Sequence, residues 1–120
     1  MRMFDVILNK IKECANTPLL SRAEAVDKES VIVKLEPCSY DSGVCLSRLE
    51  VLCVAKSYER ALLCFDRISE GLDALPDESG EVLEIELKST VIKYDTVSGM
   101  TRLLGVFDAY TEVNGNDTDE

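Results

Sequence analysis

Histidine and tryptophan are both absent from this sequence of 120 residues. Histidine is the commonest general base and the commonest metal ligand in proteins, so its absence excludes Ser-His and Cys-His nucleophilic catalysis. The six glycines stand singly, so the sequence also lacks a glycine-rich loop that would bind phosphate groups. We predict that the protein is not an enzyme and has no cofactor. A small enzyme that uses only carboxylates and tyrosine is the remaining catalytic alternative.

The acidic residues form no recognisable catalytic or metal-binding motif in the sequence. Glu84 and Glu86 lie on one face of a predicted strand beside Lys88, which is typical of a solvated strand edge. The turns "DSG" and "DTVSG" lack the dense run of oxygen ligands that a calcium site requires. The sequence therefore predicts no catalytic residues and no metal site.

The five cysteines form an odd set with neither a CxxC motif nor the spacing of a zinc knuckle. Reduced thiols are the expected state, as in cytosolic proteins. Cys38 and Cys45 flank a predicted turn. Three interpretations of these two cysteines stay open: they are small apolar residues, they form a fortuitous disulfide, or they bind a metal ion.

Acidic residues outnumber basic residues by 23 to 13, which gives a formal net charge of -10. This charge opposes general binding to a phosphate backbone. Three interpretations stay open: solubility, a surface past which DNA slides, and a surface that imitates DNA. Charges interrupt the longest apolar stretch at Lys56 and Glu59, and the N-terminal segment at Asp5 and Lys10. We therefore expect neither a membrane span nor a secretory signal.

Hydrophobic periodicity divides the chain into helices and strands. Apolar residues at helical spacing predict one helix over residues 3–15. They predict a second helix that begins after Ser57, its N-cap, and ends at Pro76. Alternating apolar residues predict strands at residues 31–35, 44–55, 82–95 and 100–113.

The order of these elements, α-β-β-α-β-β, predicts the α+β class. We expect a mostly antiparallel sheet of about four strands with two helices packed on it. The length predicts a single domain, residues 1–113. The acidic tail, residues 114–120, is predicted to be disordered.

The strand at residues 44–55 is apolar on both faces. One face carries Leu49, Val51, Cys53 and Ala55, and the other carries Leu52 and Val54. This pattern is typical of a central strand that is covered on both sides. A contact surface for a partner is the alternative.

Basic residues in so acidic a chain have two interpretations. They either pair with acids of the same chain or contact acidic faces of neighbouring subunits. Tyr94, in the last predicted hairpin, is a candidate rim residue of an interface. Our candidate interface with a subunit or partner consists of Arg48, Leu52, Val54, Arg60, Tyr94, Asp95, Met100 and Arg102.

Residues 3–113 resemble the tail terminator proteins of long-tailed bacteriophages and their relatives, the minor capsid or tail completion proteins. The similarity lies in a strand that runs directly into the helix "KSYERALLCFDRISEGLDAL", and in a final hairpin with the turn "YDTVSG" and the strand "GVFDAYTEV". The matching residues are Ser57, Ala61, Ile68, Leu72, Asp95, Gly99 and Phe107. The loop "PCSYDSG" departs from the family, in which this loop often carries a Gly-Pro or basic element.

The resemblance implies a structural protein of the virion tail or neck that is assembled in the host cytoplasm. Members of the family form hexameric rings that cap the tail tube, stop its polymerisation and present a surface to the head connector. The implied partners are further copies of the chain, the tail-tube protein and the connector or neck protein. DNA would pass through the channel without specific binding. The alternatives are a neck or completion protein of similar topology and an acidic DNA mimic that inhibits a host nucleic-acid-binding protein.

Overall fold

Two helices and four strands follow one another in the predicted order, which confirms the α+β class. The computed structural model describes residues 2–15, 19, 28–78 and 80–112. Its elements are α1 (Arg2–Cys14), β1 (Ser30–Asp41), β2 (Val44–Ala55), α2 (Tyr58–Glu78), β3 (Val82–Asp95) and β4 (Met100–Glu112). The predicted disordered tail and most of the polar stretch between α1 and β1 lie outside the described residues.

All four strands form one antiparallel sheet in the order β1-β2-β4-β3. β2 and β4 are therefore central, and β1 and β3 are the edge strands. The β1–β2 turn lies at one end of the sheet, beyond the pair of Val44 with Glu112. The β3–β4 turn lies at the opposite end, where Ala55 pairs with Thr101. The two turns thus extend from opposite ends of the sheet.

The main core lies between the helices and one face of the sheet. The strand period of two directs one predicted set of β2 residues toward the helices, and all of its members are buried: Leu49, Val51, Cys53 and Ala55. The apolar residues at helical spacing that predict α2 are also buried: Ala61, Phe65, Ile68, Leu72 and Leu75. From α1, Ile7 and Ile11 are fully buried in the same cluster.

Gly105 in β4 allows α2 to approach the sheet closely. A Cβ atom at this position would lie 2.2 Å from Cε1 of Phe65. The Phe65 ring also contacts Phe107, with ring centroids 5.9 Å apart. The absence of a side chain at residue 105 is therefore what makes room for the aromatic pair at the centre of the core.

Three ends of two elements, α2 and β1, test the local signals in the sequence. The N-cap prediction is confirmed, since the backbone N–H of Arg60 donates to Oγ of Ser57 over 3.2 Å. β1 continues past residue 35, where the predicted strand ends, and passes through Pro37 with a register shift; an edge strand tolerates this because one of its sides has no ladder partner. α2 likewise includes Pro76 and ends two residues later at Glu78, so the proline removes only a hydrogen bond of the last turn.

Candidate assembly surface

Three of the eight predicted interface residues form a buried cluster within the chain. Leu52, Val54 and Met100 lie on the second face of the sheet, opposite the helices, and are 8%, 1% and 3% exposed. Ile32 and Leu104 are partly buried and pack against them. This small cluster confirms that β2 is covered on both faces. A contact between these three residues and another subunit stays a prediction.

The three predicted arginines each contact an acid of their own chain. Arg48 Nε lies 3.3 Å from Glu50 Oε2, and Arg60 pairs with Glu29. A guanidinium nitrogen of Arg102 lies 3.9 Å from Oδ2 of Asp95. These ion pairs agree with the interpretation that the basic residues neutralise neighbouring acids. Contacts of the arginines with other subunits stay a prediction.

The pair of Glu29 and Arg60 connects the residue before β1 to the first turn of α2. Arg60 Nε donates to Glu29 Oε2 over 2.6 Å, and a second guanidinium nitrogen contacts Oε1. The backbone N–H of Lys56 donates to Oε2 over 2.9 Å. These hydrogen bonds, with that of Arg60 the largest contribution, lower the pKa of Glu29 from 4.5 to about 2. Glu29 is therefore ionised throughout the neutral range and holds the start of α2 against β1.

A pocket of about 120 Å³ lies beside this ion pair; we call it the α2 pocket. Its lining residues are Glu29, Val54, Ala55, Arg60, Leu63, Cys64 and Arg67. Ala55 and Cys64 are buried on the helix side of the sheet and form an apolar floor, whereas Arg60, Leu63 and Arg67 are exposed and surround the opening. Because Glu29 neutralises Arg60, Arg67 gives the rim its net positive charge, and the pocket therefore combines an apolar interior with a basic rim.

A buried pair of cysteines lies at the floor of the α2 pocket, where Cys64 lines the pocket and Cys53 lies behind it. Cys64 hydrogen-bonds Cys53, and this bond together with burial raises the pKa of the Cys53 thiol. A protonated, buried thiol is a poor nucleophile.

Among the described residues, no group of three or more Cys, Asp or Glu residues could hold a metal ion. No helix in the described part of the chain is long and apolar enough to cross a membrane.

β3 carries an unusual amount of exposed apolar surface for an edge strand. Its exposed large apolar residues, which we call the β3 strip, are Leu83, Leu87, Val91, Ile92 and Tyr94. The register places Leu87 beside Phe107 on the helix side of the sheet, and Val91 beside Leu104 on the second face. The strip is thus apolar on both faces. It is the type of edge at which another chain can add a strand.

The sequence pattern identified only part of this surface. The alternation of Leu83, Ile85 and Leu87 predicts one buried face, but only Ile85 is buried. Register shifts at Val82/Glu84 and at Leu87/Ser89 interrupt the alternation. In addition, α2 begins beside β2 and crosses β4 at Gly105, so it does not cover the second half of β3. The adjacent pair of Val91 and Ile92, which breaks the period of two, was the available signal.

The β3–β4 turn is fixed by Asp95 and presents an apolar side chain at its tip. The Asp95 carboxylate accepts hydrogen bonds of 3.0 Å each from the backbone N–H of Val97 and from Oγ of Ser98. These bonds lower the pKa of Asp95, the Val97 N–H most of all. The backbone N–H of Gly99 also donates to the Asp95 carbonyl over 2.8 Å. Val97, at the tip, is nevertheless 95% exposed.

Of the predicted interface residues, Tyr94 belongs to the β3 strip and Asp95 begins the β3–β4 turn. Tyr94 is 64% exposed and continues the β3 strip toward the tip. Val97 and most of the strip were missed by the sequence reasoning. A β-branched apolar residue inside a turn of polar residues was the signal for Val97.

No protein-family model and no curated protein matches the chain. Among solved structures, the chain is similar to a component of the "virion of native gene transfer agent (GTA) particle", with a TM-score of 0.55 and 14% sequence identity. The alignment covers 89% of this chain and 84% of that chain. At this identity the similarity is one of fold, and the chain therefore has the fold of a virion component.

Proposed function

We propose that the protein is a structural component of a phage-like virion. The observation that carries this proposal is the similarity to the gene transfer agent particle, a phage-like virion, over most of both chains. The lack of histidine and the raised pKa of Cys53 agree with a role that requires no catalysis.

More specifically, we propose that the protein is a tail terminator that forms a hexameric ring, caps the tail tube and joins it to the head connector. The residues that resemble the terminator family support this assignment, because they include the turn residues Asp95 and Gly99. The β3 strip and the tip of the β3–β4 turn offer apolar area for contacts between subunits. The net charge of -10 suits a channel through which DNA passes without binding.

The experiment that tests this function is assembly in the presence of the tail-tube protein of the same phage. Electron microscopy and analytical ultracentrifugation should detect rings on tube ends, and elongation of tubes should stop when the protein is added. The double substitution Leu87→Lys and Ile92→Lys should abolish ring formation and preserve the fold, because both residues are exposed.

Tyr40→Lys provides the matched control. Tyr40 is also exposed but lies at the end of β1, near the other turn, so rings should still form. A wild-type protein that stays monomeric with the tube protein and leaves tube length unchanged would contradict the terminator assignment.

The same purified protein can also distinguish two alternative functions from that of a tail terminator. A neck or completion protein of similar topology would bind the head connector and not the tube. An acidic DNA mimic, which the net charge of -10 favours, would remain small and bind a basic nucleic-acid-binding protein. Its affinity would fall steeply with salt concentration.

A further inference from the structure

We propose that Val97, at the β3–β4 turn of one copy, inserts into the α2 pocket of the next copy, so that subunits join head to tail. This inference rests on the ring of the proposed function and specifies its subunit contact. Two features at the same end of the sheet support it. One is an exposed valine on a turn of defined shape, on the β3 side. The other is an apolar pocket with a basic rim, on the β2 side.

The turn is suited to insertion because its shape is set before any contact is made. The Asp95 carboxylate accepts hydrogen bonds from the backbone N–H of Val97 and from Oγ of Ser98. Oγ of Ser98 in turn accepts a hydrogen bond of 3.3 Å from the backbone N–H of Met100. Gly99 adopts a positive φ of 74°, which closes the turn without side-chain strain. Little conformational entropy is therefore lost when the tip is buried. An apolar tip that is 95% exposed gains from such burial.

The α2 pocket offers a matching space. Its volume of about 120 Å³ accommodates a side chain of valine size, and its floor of Ala55 and Cys64 is apolar. A polar or charged tip residue would lose hydration in such a site without a compensating hydrogen bond. Valine, whose side chain has no polar atom, has no such loss.

The charges around the two features are complementary. Arg67 has no ion-pair partner among the residues that the structure describes, although the chain has a large excess of acids. The turn carries one acid, Asp95, two residues before Val97. When Val97 of one copy occupies the pocket of the next, the Asp95 carboxylate comes near the arginines of the rim. This attraction partly offsets the repulsion between two acidic chains.

The positions of the turn and the pocket determine the symmetry of the contact. The turn extends from the edge formed by β3, whereas the pocket lies beside β2 and the residue before β1. Both are at the end of the sheet where Ala55 pairs with Thr101. Neighbouring copies that lie side by side can therefore repeat the same contact. A heterologous contact of this kind generates a ring when the rotation closes.

The test uses one variant of each partner feature. Val97→Asp places a charge on the tip, and Leu63→Glu closes the pocket opening by pairing with its arginines. Both residues are exposed in the single chain, so circular dichroism and thermal melting should match the wild type. Each variant alone should fail to form rings with the tube protein, with the contact weakened about tenfold or more.

An equimolar mixture of the two variants should form heterodimers, because one intact turn and one intact pocket remain. Sedimentation and cross-linking should detect this dimer, and Val97→Ile should assemble like the wild type. Rings formed by Val97→Asp alone would overturn this inference and leave the terminator function standing. Loss of rings without heterodimers in the mixture would overturn the head-to-tail contact. A wild type that forms no rings with the tube would overturn both.

Discussion

The substitution Gly105→Ala tests the closest approach between α2 and the sheet. A new Cβ would lie 2.2 Å from Cε1 and 2.6 Å from Cζ of Phe65. Ordinary contacts begin near 3.4 Å, so the ring must move by about 1 Å. Phe65 is only 5% exposed and packs against the tilted ring of Phe107. The ring therefore has no free space into which it can move.

Two opposing effects determine the size of the loss. Alanine is favoured over glycine in a strand by about 0.5–1 kcal/mol, because it loses less conformational entropy on folding. Overpacking of a filled core costs about 1–3 kcal/mol. The steric cost exceeds the gain, so we expect Gly105→Ala to lower the free energy of unfolding by about 1–2 kcal/mol. For a domain of this length, the melting temperature should fall by roughly 4–8 °C.

Urea unfolding followed by circular dichroism measures this change, with Gly80→Ala as the matched control. Gly80 has no heavy atom within 4 Å of the site of an added Cβ, so Gly80→Ala should be neutral or slightly stabilising. The double variant Gly105→Ala with Phe65→Leu should be more stable than the sum of the single losses predicts, because leucine vacates the contested space. If Gly105→Ala is as stable as the wild type, or if the two losses simply add, the steric argument is wrong.

Three further predictions concern stability. Glu29→Gln should lower the free energy of unfolding by about 1 kcal/mol at neutral pH, after solvent screening of the ion pair. Because the pKa of Glu29 is lowered from 4.5 to about 2 in the folded protein, the ion pair loses its stabilising effect as pH falls through this range. Urea titrations should therefore show the difference in free energy of unfolding between variant and wild type shrinking from pH 4.5 toward pH 2. Ser57→Ala should cost about 1 kcal/mol through loss of the N-cap bond, and an unchanged unfolding midpoint would contradict it. Leu87→Lys should leave the melting temperature within about 2 °C of wild type, since Leu87 is exposed; a large loss would mean that the residue belongs to the core.

Local patterns determined the element order because each pattern reflects one face of one element. The alternation from Leu49 to Ala55 specifies a strand, and the break after Ser57 specifies where a helix begins. Both predictions needed only the periods of two and 3.6 residues. The second apolar face, Leu52 with Val54, also correctly indicated a central strand that is covered on both sides.

The remaining features depend on contacts between elements that are distant in the sequence. Glu29 meets Arg60 across 31 positions, and the close fit of Phe65 over Gly105 depends on the path of α2. The predicted strand at residues 31–35 is shorter than β1, because a proline is compatible with an edge strand and no local pattern shows that β1 is one. The exposure of Leu87 follows from the path of α2 and from register shifts, which no single-strand pattern contains. Of the β3 strip and the β3–β4 turn, the sequence therefore predicted only Tyr94 and Asp95, and of the rim of the α2 pocket it predicted only Arg60.

The second half of β3 connects the fold to the proposed assembly. Every residue from Glu86 to Tyr94 is exposed, so this segment adds strand pairing to β4 but almost nothing to the core. Polar residues would be sufficient for pairing with β4, and they would also protect this edge of the sheet from unwanted association. The segment instead carries Val91, Ile92 and Tyr94 and leads into a turn with Val97 at its tip. Apolar surface that folding does not use, on a rigid hairpin, is what a contact between subunits requires.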